Sequence, residues 1–139
     1  MNSRRTCSPT VGRLLLPVEI AFTRFMLTLE QLAAKSSIER KGSPMTREEV
    51  GQYMRSLPGW NLVDGSIEKE FRFTSYLDGL AFANEIGKIA EEQDHHPDIV
   101  IKWRRVKLTL STHSVKGLSE NDFIVAAKSE LKYRESGLG

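Results

Sequence analysis

Cysteine is almost absent from this 139-residue chain: Cys7 stands alone. No intrachain disulfide can form from one thiol, and no thiolate metal site can be built on it. That agrees with a reducing compartment without requiring one. No stretch approaches the roughly 18 to 20 apolar residues that a membrane span needs. A surplus of one charge sign is missing too. Against 20 Lys and Arg stand 18 Asp and Glu, a net charge of +2, which is too balanced for a nucleic-acid footprint. Part of that charge sits early, where Arg4, Arg5, Arg13 and Arg24 face only Glu19, so the rest is nearly neutral. A small neutral ligand or a protein partner is expected in preference to a polyanion. Several catalytic motifs are also lacking: HExxH and Cys/His metal spacings, a GxSxG nucleophile elbow and a phosphate-cradling glycine loop.

The length fits one domain with a core that needs no disulfides. Hydrophobic residues at 40% and charged residues at 27% are ordinary for a globular protein. Residues 1–25 are rich in Arg, Ser and Thr and poor in acids. That is the composition of a targeting segment, or of a disordered tail. The expected location is the cytoplasm, or an organelle if this segment is a transit peptide. Residues 26–44 are expected to form a short helix over Leu27–Lys35, with Leu29, Leu32 and Ala33 at helical spacing, and a polar linker over Ser36–Pro44. The compact domain is expected over residues 45–139.

Within it, Thr46 and Glu49 form a capping box ahead of Val50, Tyr53, Met54 and Leu57, which share a helical face. Pro58-Gly59 stops this helix. Trp60–Val63, Asp64-Gly65 and Ser66–Phe73 read as a hairpin with a two-residue type I′ turn. Ser75 opens a second helix, whose buried stripe is Leu80, Phe82, Ile86, Ile89 and Ala90. It runs to about Gln93, and Pro97 blocks its continuation. Ile99–Trp103 and Val106–Thr112 are expected as strands around a turn at Arg104-Arg105. Val106, Leu108 and Leu110 point one way along the second of these, and Lys107, Thr109, Ser111 and His113 the other. A last helix, capped by Ser119, buries Phe123, Ala127 and Leu131. The order α-ββ-α-ββ-α implies an α+β fold, a four-stranded antiparallel sheet covered on one face by three helices.

Two of the three histidines are adjacent, in Glu91-Glu92-Gln93-Asp94-His95-His96-Pro97, and the third is His113. Histidine alone gives and takes protons near neutral pH without a perturbed pKa. His95 and His96 fall between a helix and a strand, where catalytic groups often stand. Favourable contact with the helix-end dipole is the plainer explanation for either one singly. Glu91, one helical turn before His95, is placed to orient a ring and fix its tautomer. Asp122 is accounted for by its N3 position behind Ser119, and a role at the site is the alternative. Adjacent histidines diverge and seldom chelate one ion, so no metal is expected. General acid–base work on a small molecule remains.

The spacing Glu91, three residues, His95-His96-Pro97, five residues, Trp103, nine residues, His113, eight residues, Asp122 resembles the signature of the pterin-4a-carbinolamine dehydratases. Leu57-Pro58-Gly59-Trp60 and Gly117-Leu118-Ser119-Glu120-Asn121-Asp122 are similar to that family too, and the likeness covers about residues 45 to 134. Residues before Met45 resemble an extended version of the family that often carries cysteines where this chain has Ser36–Lys41, so no metal or redox role is transferred to them.

The resemblance implies dehydration of 4a-hydroxytetrahydrobiopterin to the quinonoid dihydropterin, which recycles the cofactor of aromatic amino acid hydroxylases. It implies His95, His96 and His113 as proton carriers, with His95 and His113 near the 4a-hydroxyl and His96 orienting the pterin. Glu91 and Asp94 would set histidine charge and position, Pro97 and Thr112 would line the pocket, and Asp122 would act mainly by capping its helix near His113. No cofactor or metal, no nucleic acid and no membrane are implied. A homodimer or homotetramer is implied, with an edge strand such as the one after Asp64-Gly65 pairing across subunits. The alternatives are the same fold acting on another pterin or in molybdopterin metabolism, or a non-catalytic dimerisation partner of a transcription factor.

Overall fold

The structure is a computed structural model that describes residues 27–137. The expectations for residues 1–25 lie outside the described residues. Each of the four described α-helices starts on a hydroxyl side chain that accepts from the first turn, which satisfies a backbone N–H the helix cannot. Thr28 caps α1 (Leu29–Ala33) and Thr46 caps α2 (Arg47–Met54), each in a reciprocal capping box. Ser75 caps α3 (Tyr76–Gln93) and Ser119 caps α4 (Glu120–Ser136). The strands are β1 (Asn61–Val63), β2 (Ser66–Arg72), β3 (Asp98–Lys102) and β4 (Arg105–Leu110). They form one antiparallel sheet in the order β1-β2-β4-β3. This is the expected α+β architecture, with α1 as a fourth helix in front of the three counted for the domain. No described helix is long and apolar enough to cross a membrane.

Alternation along β2 and β4 decides which sheet face is covered. Ile67, Phe71, Val106, Leu108 and Leu110 are buried beneath the helices, while Glu68, Glu70 and Lys107 stand on the other face. Phe71 and Phe73 pack with Phe82 of α3 and Tyr133 of α4, ring centroids 4.9–5.4 Å apart. Emptying such a position costs about 3–5 kcal/mol. Lys69 has inward parity, yet its ammonium reaches the buried Glu130 at 2.5 Å, which also accepts from Trp60 Nε1 at 3.0 Å.

Three local expectations are corrected. The strand after Asp64-Gly65 is not an edge: β2 lies between β1 and β4, because Ile67 and Phe71 need cover on both sides, and the edges are β1 and β3. The second hairpin turns at Trp103-Arg104, one residue early, since Lys102 pairs with Arg105. Trp103 is 70% exposed there, with the Arg104 guanidinium 4.3 Å from its ring centre. The first hairpin has its two-residue turn, but only Asp64 takes positive φ (49°) and Gly65 does not, so the turn is not type I′.

The stretch expected as a linker lies bound across the start of α4. Asn121 forms a two-bond clamp on Ile38, accepting from its N–H (3.2 Å) and donating to its carbonyl (2.6 Å). Ser37 N–H donates to Gln93 (2.8 Å), Lys128 to the Ala33 carbonyl (2.7 Å) and Met45 N–H to the Leu118 carbonyl (2.8 Å). Leu29, Leu32 and Ala33 of α1 belong to the main core.

Candidate active site

The end of α3 delivers the first histidine. Asp94 adopts the left-handed conformation (φ 49°, ψ 43°). Its N–H bonds the Glu91 carbonyl at 3.3 Å, and the His95 N–H bonds the Ala90 carbonyl at 3.0 Å. These are the two bonds of a Schellman motif, which folds the chain back over the helix end. The slot usually takes glycine; aspartate is among the few residues that tolerate it. Asp94 thus positions His95 through its backbone.

His95 is received by Asp122. Its Nε2 lies 2.6 Å from Asp122 Oδ1, with the carboxylate fully buried and the ring 11% exposed. The other oxygen, Oδ2, accepts from the Thr112 hydroxyl (2.7 Å) and from the Ser119 N–H (3.0 Å). One oxygen therefore caps α4 while its twin orients the histidine, so the two explanations for Asp122 hold together. An ionised carboxylate only accepts. The hydrogen between the two groups then belongs to His95 Nε2, and Nδ1 is the ring atom left to exchange a proton with a ligand. Ser119 Oγ lies 2.7 Å from Thr112 Oγ1. Since Thr112 spends its one hydrogen on Asp122, Ser119 must donate to Thr112.

Glu91 serves the other histidine of the pair. Its carboxylate meets His96 Nε2 at 2.5 Å, on the surface, so the ring it holds is His96 and not His95, one helical turn away. His113 does not continue the parity of β4, because that strand stops at Leu110. It opens a single 3₁₀ turn, His113–Val115, within a loop closed at its neck by Thr112 and Gly117. Each of those two gives its N–H to the other's carbonyl, at 2.7 and 3.3 Å. The His113 ring is exposed and makes no hydrogen bond among the described residues.

A cavity of about 290 Å³ opens beside His95 and Thr112, with Asp94 and Gln93 on its rim. Its remaining wall comes from Ser37–Arg40, Ser114 and Asn121. Glu91, His96, Pro97, His113 and Asp122 do not line it. Sequence reasoning missed Ile38, Arg40, Ser119 and Asn121. The capping pattern marked Ser119 for its helix alone, and no pattern announces an Asn121–Ile38 contact spanning 83 positions.

Next to this wall Glu120 collects three donors: Tyr53 Oη (2.8 Å), Lys35 Nζ (3.0 Å) and Arg40 Nη2 (3.1 Å). Burial is the largest single influence on Glu120 and opposes its charge. The donors Tyr53, Lys35 and Arg40 together outweigh it and hold the carboxyl below its ordinary range. Tyr53 moves the opposite way, to about 12, through burial first and then its bond to the Glu120 carboxylate.

Comparison with known proteins identifies the family. The family model described as pterin 4 alpha carbinolamine dehydratase matches residues 43–131. A Nitrosospira multiformis protein described as a candidate pterin-4-alpha-carbinolamine dehydratase is 40% identical over 109 residues, covering 77% of this chain and 96% of its own. One from Rubrobacter xylanophilus, described alike, is 43% identical over 103 residues, 72% of this chain and 96% of its own. A Brucella melitensis crystal structure titled transcriptional coactivator/pterin dehydratase superposes with a TM-score of 0.63 at 32% identity. It covers 66% of this chain and 99% of its own. By the family model and by relatives of this identity and coverage, the chain belongs to the pterin-4-alpha-carbinolamine dehydratase family, a family of hydro-lyases.

Proposed function

We propose that the protein removes water from 4a-hydroxytetrahydrobiopterin to give quinonoid dihydrobiopterin, and so recycles the cofactor of aromatic amino acid hydroxylases. The observation that carries the reading is His95, oriented by a buried carboxylate at 2.6 Å and lining a cavity. The reaction breaks the C4a–O bond and an N–H bond of the pterin and forms a C=N bond. The hydroxyl leaves with an added proton as water, and no electrons change hands. Such a reaction needs a donor at the oxygen and an acceptor at the nitrogen.

His95 supplies the donor from Nδ1. While it carries that proton its positive charge faces Asp122, and Thr112 keeps the carboxylate from turning away. Neither His113 nor His96 lines the cavity itself. The other transfer is assigned to His113, whose loop reaches the cavity through Thr112 and Ser114. Orientation of the pterin's outer edge is assigned to His96, which neighbours His95 and is steadied by Glu91. Asp94 and Pro97 shape the chain around the pair. No metal or cofactor takes part. The working form is a homodimer or homotetramer in the cytoplasm.

The test is turnover of synthetic 4a-hydroxytetrahydrobiopterin, followed by its ultraviolet absorbance. Replacing both His95 and His113 with Ala should lower kcat by about 10² or more with the thermal melt retained. Undiminished turnover in that variant refutes the histidine assignment. A folded parent protein without turnover refutes the activity.

A further inference from the structure

We infer that Ile38 is a substrate-binding residue, the apolar wall against which the pterin packs while His95 works on it. This inference rests on the pterin reading above. Isoleucine on a polar segment has two ordinary fates: to be buried in the core, or to move freely in solvent. Ile38 does neither. Its side chain is 59% exposed, yet its backbone is fixed at both N–H and carbonyl by the Asn121 amide. Ser37 is tied to Gln93 on one side of it. On the other, Arg40 donates from Nε to Asn121 and from Nη2 to Glu120.

The residue that makes this clamp belongs to the site's own scaffold. Asn121 sits next to Asp122 in the first turn of α4, so the start of one helix holds both Ile38 and His95. The two side chains line the same cavity of about 290 Å³. Ile38 is the one aliphatic residue of that lining; the others, His95 and Thr112 among them, are polar or charged. A pterin is a flat bicycle with polar edges and apolar faces. A cavity for it needs one wall to read edges and one to cover a face, the usual composition of a small-molecule site. Residues 37–40 lie before the stretch matched by the family model, which starts at 43. The wall is therefore added from outside the segment that carries the histidines.

Two readouts test the inference. Binding of 7,8-dihydrobiopterin, a stable pterin, is followed by quenching of tryptophan fluorescence, and KM and kcat are measured with the 4a-hydroxy substrate. Ile38→Ala should weaken dihydrobiopterin binding and raise KM about tenfold, as for the loss of roughly half an isoleucine side chain's burial. The effect on kcat should be less than about twofold. Ile38→Leu should restore binding to within about twofold. Because Ile38 is exposed, the thermal melt should not change. Dihydrobiopterin binding and KM within twofold of the parent for Ile38→Ala overturn the inference, and so does a parent protein that binds no pterin. Weakened binding in Ile38→Ala alongside full turnover in the histidine variants leaves the wall standing and removes the proposed chemistry instead.

Discussion

Gly117 and Pro44 meet so closely that a methyl group on the glycine would lie 2.7 Å from the proline Cβ. Neither group is the end of a flexible side chain, so backbone must shift to make room. Gly117→Ala should therefore cost about 1–3 kcal/mol in urea denaturation. It should also lower turnover, because Gly117 forms the neck of the His113 loop with Thr112. Gly51→Ala is the contrasting case. That glycine lies inside α2 with open space around it, and alanine there should stabilise by about 0.5–1 kcal/mol.

Asp122 has three donors trained on it in a fully buried position. Asp122→Ala leaves all three without an acceptor and should cost about 3–5 kcal/mol. Asp122→Asn keeps the shape but opposes an amide N–H to groups that themselves donate. Its kcat should fall about 10²-fold or more, a larger loss than Thr112→Val, which removes one donor and should cost about 1–2 kcal/mol. Thermal melts and turnover on the three variants check this ranking, and equal kcat in Asp122→Asn and the parent refutes it.

Asp94→Gly separates backbone from side chain. If Asp94 acts through its left-handed conformation, glycine should serve as well or better, raising stability by about 0.5–1 kcal/mol with turnover preserved. Asp94→Val should do the reverse, since a β-branched residue resists positive φ. A large fall in kcat for Asp94→Gly would instead assign the carboxylate a direct part.

The Glu120–Tyr53 pair makes stability depend on pH at both extremes. Glu120 ionises more readily folded than unfolded. Its contribution is thus present above the ordinary carboxylate range and lost as pH falls through its lowered folded value. Tyr53 holds its proton up to about 12, so its contribution is complete below the ordinary tyrosine range near 10 and lost as pH rises through about 12. Glu120→Gln should lower stability at neutral pH by about 1–2 kcal/mol and flatten the acid limb of a melting-temperature profile. Tyr53→Phe should remove the last-titrating component of tyrosine absorbance in alkali.

The caps, the buried stripes and the pairing within each hairpin were readable because they are local. Thr46 to Glu49 and Ser119 to Asp122 lie one helical turn apart, and period-two alternation marks Ile67 and Phe71 as inward. Contacts between distant segments left no such trace. Glu91 is spaced one helical turn from His95, but the Schellman turn at Asp94 sends His95 inward to Asp122 and leaves His96 to Glu91. Parity failed at His113 because it holds only while a strand continues. The cavity wall was hidden for the same reason, since Ile38 and Asn121 have no regular spacing that joins them.

The hydroxyl row Ser119–Thr112–Asp122 has a direction. Each hydroxyl owns one hydrogen and both point toward the carboxylate, so a proton reaching Asp122 cannot travel back out along the row unless both rotors reverse together. The interior is closed to proton traffic on that side. Exchange at His95 is then left to Nδ1, so the row makes the imidazole a one-sided carrier: Asp122 holds one ring nitrogen and the other does the work.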